Sequence, residues 1–116
     1  MTSPNQDADL SIADLSFDDR GLLPAIVQEA ATGDVLMLGW MNEESIRATF
    51  SKGLATFWSR SRRELWTKGE TSGNKLRLVD VRYDCDADAL LVRVHLEGDG
   101  ACHTGNRSCF YRTLDA

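Results

Sequence analysis

Cysteine, proline and histidine are all scarce in this sequence, at three, two and two residues in 116. The three cysteines, Cys85, Cys102 and Cys109, are odd in number and too sparse for the disulfide framework of a small secreted scaffold. Free thiols in a cytoplasmic setting, available to bind metal, are the expectation. Long apolar runs are missing as well: nothing approaches the roughly 18 uninterrupted apolar residues of a membrane span. The opening segment MTSPNQDADLSIADLSFDD has neither a basic start nor an apolar stretch, so no membrane anchor or secretory signal is expected. Positive charge is also in deficit. With 13 basic residues against 18 acidic and a net charge of -5, the molecule as a whole is no electrostatic partner for nucleic acid or acidic lipid. The length leaves room for one domain whose core is small enough to gain from a metal or a partner subunit.

What is present is unevenly distributed. Residues 1–20 hold Asp7, Asp9, Asp14, Asp18 and Asp19 against Arg20 alone, a local net of -4. This reads as an acidic, partly mobile tail whose Leu15 and Phe17 dock on a body formed by residues 21–116. From Leu23, the runs LPAIVQEA and VLMLGW read as two strands joined through Ala31-Thr32-Gly33-Asp34. Asn42 then caps a helix over about 42–52, with Glu43 and Glu44 in its first turn, Ile46, Thr49 and Phe50 along one face, and Gly53 as terminator. Beyond it lie the extended pieces ATFWSR, KLRLVDVRY, ALLVRVHL and CFYRTL. In KLRLVDVRY, Leu76 and Leu78 are out of phase with Val79, Val81 and Tyr83, so that strand carries a bulge or is buried on both faces. The expected fold is α+β and strand-dominated, built of twisted antiparallel sheets with one principal helix.

Three clusters carry chemistry. The first is Asp84-Cys85-Asp86-Ala87-Asp88. If extended, it points three carboxylates to one side and the Cys85 thiol to the other. Their mutual repulsion calls for a hard, oxygen-preferring cation such as Mg²⁺, or else a solvated acidic turn. An EF-hand loop is excluded because its sixth and twelfth positions are Ala89 and His95 here, not Gly and Glu. The second cluster, Ala101-Cys102-His103-Thr104-Gly105-Asn106-Arg107-Ser108-Cys109, adds two thiols to Cys85, making three soft ligands for Zn²⁺. His103 either closes that site or stands beside it as an acid/base group; a Cys102 to Cys109 disulfide is the structural alternative. His95, opposite in phase to Val92, Val94 and Leu96, reads as a surface or interface residue.

The third cluster is basic. Residues 60–77 hold Arg60, Arg62, Arg63, Lys68, Lys75 and Arg77 against Glu64 and Glu70, a local net of +4. Arginine forks suit phosphate, Thr71, Ser72 and Gly73 supply groups for a phosphate cradle, and Trp66 offers a face for a purine. A solvated strand pair with Trp58 in the core is the plain alternative. A basic, aromatic-interleaved strip also describes a single-stranded RNA platform.

Taken together, GDVLMLGWMNEES, FWSRSRRELWTKGETSGN, DCDAD and ACHTGNRSCFYR resemble the phosphoribosyl-AMP cyclohydrolase family of histidine biosynthesis. The resemblance spans roughly residues 22 to 114. It implies a hydrolase that opens the adenine ring of 1-(5-phosphoribosyl)-AMP between N1 and C6 with water activated by zinc. It further implies Zn²⁺ on Cys85, Cys102 and Cys109, and Mg²⁺ on Asp84, Asp86 and Asp88. His103 then moves protons, while Arg60, Arg62, Trp66, Lys68, Thr71, Ser72 and Gly73 contact substrate. By the same resemblance the protein is an intertwined homodimer, with Cys85 of one chain meeting Cys102 and Cys109 of the other. A chain ending soon after SCFYRTL is expected to be the monofunctional form. The rival readings are a zinc-stabilised RNA-binding module and a zinc nucleobase deaminase, whose H-x-E and P-C-x-x-C signature is absent.

Overall fold

In the computed structural model, residues 10–116 are described; Asp7 and Asp9 of the acidic segment lie outside the described residues. Alternating burial builds the first hairpin. Leu23, Ala25 and Val27 of β1 (Leu23–Glu29) point inward and are fully buried, and β2 (Val35–Met41) pairs with β1 antiparallel from Leu23↔Met41 to Gln28↔Val35. Helix α1 (Glu43–Lys52) starts where expected: Asn42 Oδ1 accepts from the Ser45 N–H at 2.8 Å, and Ser45 Oγ accepts from the Asn42 N–H at 2.8 Å. It ends on Gly53, whose φ of +71° lets its N–H reach Thr49 O. Ile46 and Thr49 are buried, whereas Phe50, expected on the same face, is exposed.

Four further strands follow: β3 (Thr56–Ser59), β4 (Glu64–Thr67), β5 (Leu76–Tyr83) and β6 (Leu90–Leu96). A four-stranded sheet has the order β2-β1-β6-β5, and β3 and β4 form a separate antiparallel pair. The strand-dominated α+β architecture with one principal helix holds among the described residues. The larger sheet is mixed, because its central strands β1 and β6 run parallel, in register from Ala25↔Leu90 to Glu29↔Val94. That pairing joins residues 65 apart in the chain, beyond the reach of local periodicity. The phase conflict in β5 is resolved by a bulge: the register steps from Leu78↔Val94 to Asp80↔Arg93, leaving Val79 exposed between them.

The core fills the space between one sheet face, α1 and the small hairpin. Phe57, not Trp58, is its largest fully buried side chain, and Trp58 is half-buried. Phe57 lies against β2 at Gly39, where an added Cβ would stand 2.5 Å from the Phe57 ring. Leu15 and Phe17 pack on this core, and the Ser16 N–H donates to Ala87 O at 2.8 Å. Strand β4 was not expected as a separate element, and CFYRTL is not a strand. Its first N–H, of Cys109, bonds Leu36 O, after which the ladder ends and Phe110, Tyr111 and Leu114 are exposed. No helix of the described residues is long and apolar enough to cross a membrane.

Candidate active site

Strand β5 delivers the chain into a tight turn, so the DCDAD segment is not extended. Asp84 Oδ1 accepts from the N–H groups of Asp88 (3.0 Å) and Ala89 (3.2 Å), and Ala87 takes a left-handed φ of +60°. The turn, not strand alternation, converges the carboxylates. Ligand oxygens of Asp84, Asp86 and Asp88 all lie within 4.8 Å of one another at the surface, a group able to hold a cation. Hydrogen bonding from Asp86, desolvation and the neighbouring Asp84 charge push Asp88 up to about 6. For Asp84, desolvation pulls upward but is outweighed by the Asp88 and Ala89 N–H groups and the adjacent carboxyls, which leave it below its ordinary value.

The second cluster is a loop pinned to the opposite side of the sheet. Ala101 N–H donates to Arg107 O (2.9 Å), and Cys102 N–H to Asn106 O (3.1 Å). Cys109 N–H donates to Leu36 O (2.7 Å), and Ser108 Oγ to Val35 O (2.8 Å). The Arg107 guanidinium bonds Glu29, Thr32 and Asp34 around the β1–β2 turn. All three cysteines are free thiols. Cys102 Sγ lies 2.9 Å from Thr104 Oγ1, and this bond, with Cys109 and the Lys68 charge adding to it, lowers the Cys102 thiol. Desolvation and the neighbouring Cys102 raise Cys109. A neighbouring pair of thiols of this kind suits a borderline-soft metal.

Cys85 is not brought to that pair within the chain. It follows β5 at one edge of the sheet, while Cys109 is bonded to β2 at the other, at least three strand spacings or about 14 Å across the sheet. Among the described residues no third Cys, His, Asp or Glu joins Cys102 and Cys109, and His103 is exposed beside them. His95 is exposed, as expected.

The basic strip divides. Lys68 lies near enough to both thiols to act on them electrostatically, and the exposed Thr71, Ser72 and Gly73 follow it in the turn before β5. Arg62 is exposed in the β3–β4 turn. Trp66, expected as an open stacking face, instead packs on Phe57 with ring centroids 5.0 Å apart and is half-buried against the core. A cation of the strip stands instead over Trp40, which has the Arg60 guanidinium 4.5 Å above its ring. Trp40 and the Glu29–Arg107 ion pair escaped the sequence reading, since their partners lie 20 and 78 residues away and no short-range pattern links them.

The phosphoribosyl-AMP cyclohydrolase family profile matches residues 37–111. The chain is 58% identical to the phosphoribosyl-AMP cyclohydrolase of Archaeoglobus fulgidus, over 88% of this chain and 94% of that protein. It is 56% identical to that of Marinobacter nauticus, over 87% of this chain and 73% of the relative. A histidine biosynthesis bifunctional protein of Thermosynechococcus vestitus is 56% identical over 89% of this chain and 48% of its own length. The profile takes in the thiol loop, the acidic turn and the basic strip together: the chain belongs to the phosphoribosyl-AMP cyclohydrolase family, hydrolases of histidine biosynthesis.

Proposed function

We propose that this protein hydrolyses 1-(5-phosphoribosyl)-AMP between N1 and C6 of its adenine ring, as a cytoplasmic homodimer with Zn²⁺ and Mg²⁺ in each active site. The observation that carries the reading is the presence of two donor sets of opposite hardness. Cys102 and Cys109 offer paired sulfurs, and Asp84, Asp86 and Asp88 offer converging oxygens. Among the described residues the sulfur pair has no third ligand in its own chain, and Cys85 stands at the far sheet edge, which supports a zinc site completed by Cys85 of a second copy. An outward row of Leu38, Ile26 and Leu91 across β2, β1 and β6, with Ile26 and Leu38 exposed, supports such a pairing.

Zinc held there would supply a water made acidic enough to ionise near neutral pH. The chain's own groups do the rest. His103, exposed next to Cys102, takes a proton as water adds at C6 and returns one as the C6–N1 bond breaks. Lys68 places a positive charge beside the thiols, and Arg62, Thr71, Ser72 and Gly73 bind and orient the nucleotide. The RNA-module reading loses its stacking platform with Trp66 turned to the core. The test is the ultraviolet spectrum of the ribonucleotide incubated with zinc- and magnesium-loaded protein, which changes only if the purine ring opens. His103→Ala should lower kcat by roughly 10² to 10⁴ with zinc content unchanged; loss of zinc would make His103 a ligand instead.

A further inference from the structure

Among the described residues, five of the ten arginines are in ion pairs: Arg47, Arg77, Arg82, Arg93 and Arg107. Among the described residues Arg20, Arg60 and Arg63 have no carboxylate within ion-pair distance, and these three line one cavity of about 440 Å³ together with Leu22. They come from separate places in the chain. Arg20 sits in the turn before β1, whereas Arg60 and Arg63 flank the β3–β4 turn, where Arg63 holds a left-handed φ of +56°. Asp18, two residues before Arg20, has its Oδ1 already taken by the N–H groups of Arg20 and Leu22, each at 2.9 Å. Three arginines that line one space and form no ion pair with a described carboxylate repel one another, a cost that a bound anion lowers.

The cavity is not isolated. Leu22 also lines a neighbouring cavity of about 520 Å³ whose walls include Phe17, Trp40 and Asp88. Trp40 in turn lies under Arg60. Asp88 of the acidic turn and the three arginines therefore line two adjoining cavities that share Leu22. A ligand that spans both has an anion at each end, one held through a cation on the carboxylates and the other held directly by arginine.

We propose that the Arg20–Arg60–Arg63 cavity binds a terminal phosphate monoester of the nucleotide substrate. The assignment rests on the function proposed above, whose substrate carries a phosphate at each end, and it adds Arg20 and Arg63 as binding residues. Guanidinium forks match the oxygens of a phosphate dianion, and the volume leaves space for part of the attached sugar.

Calorimetric titration of the metal-loaded protein with AMP and with adenosine tests this directly, because the two probes differ only in the phosphate. The wild-type protein should bind AMP about tenfold or more tightly than adenosine, as charge-assisted contacts typically give. Arg20→Met and Arg63→Met should each lower that preference several-fold, Arg63→Lys should restore part of it, and adenosine affinity should stay near wild type. Three outcomes overturn the proposal: no preference for AMP in the wild type, the same preference in both Met variants, or a preference that survives in them and vanishes when Mg²⁺ is withheld. The last would place the phosphate on the acidic turn. The ultraviolet assay separates the two claims. An arginine-dependent AMP preference without ring opening leaves the cavity assignment standing and removes the proposed reaction; ring opening without that preference does the reverse.

Discussion

Arg107, between the two thiols of the second loop, is ion-paired to Glu29 at the end of β1, and its Nη2 also lies 3.2 Å from Asp34 Oδ2. The loop's side-chain anchor thus spans 78 residues of sequence and fixes Cys102 and Cys109 relative to the sheet. A residue that holds ligands in place typically changes metal affinity by 10- to 100-fold when removed. Arg107→Met should accordingly weaken zinc binding by about tenfold, measured by competition with a chromogenic chelator, with little change in the far-ultraviolet dichroism of the fold. Unchanged affinity would show that the backbone bonds of Ala101, Cys102 and Cys109 suffice.

The same pair makes a prediction about acid. The hydrogen bond from Arg107, outweighing the desolvation of Glu29, holds its carboxyl below the ordinary value of 4.5. A carboxylate depressed in the folded state contributes stability that is complete above about 4.5 and is lost as the pH falls through the folded value. Urea denaturation of metal-free protein from neutral pH to pH about 3 should show that loss, and Glu29→Gln should show a shallower one from a lower starting point. Parallel curves for the two proteins would remove Glu29 from the account.

Magnesium and zinc should separate by mutation. Asp86→Asn should sharply reduce activity and Mg²⁺ affinity while leaving about one zinc per chain, because its oxygens serve the harder ion. Zinc loss in this variant, by atomic absorption, would place the carboxylates in the zinc site.

Subunit sharing is tested by mixing. Cys85→Ala and Cys109→Ala chains should each be inactive alone. After subunit exchange, the mixed dimer has one site with all three cysteines, so recovery should approach a ceiling of about a quarter of wild-type activity. No recovery despite exchange confirmed by native mass spectrometry would mean that each site is built within one chain.

Packing gives a prediction independent of metal. At Gly39 an added methyl would stand 2.5 Å from Cδ1 and 2.7 Å from Cε1 of the fully buried Phe57. Gly39→Ala should therefore destabilise the protein by about 1–3 kcal/mol, the usual cost of overpacking, read from the urea midpoint. Wild-type stability would require Phe57 to shift freely, contrary to its complete burial.

Local structure was legible wherever neighbours in sequence supply the interactions. Asn42, Ser45 and Gly53 mark the helix because a cap is satisfied within four residues, and the alternation of Leu23, Ala25 and Val27 marks a strand because the buried face repeats every second residue. The motifs likewise pointed to thiol, carboxylate and arginine chemistry, since donor types are a property of composition. Tertiary structure decided the rest. Parallel pairing of β1 with β6 puts Cys85 and Cys109 at opposite sheet edges, the αL turn at Ala87 gathers the carboxylates that an extended strand would only align, and Phe57 claims the core and the face of Trp66. Each depends on contacts between residues far apart in the chain, whose energies no local window contains, and only the folded sheet brings Arg20, Arg60 and Arg63 around one space.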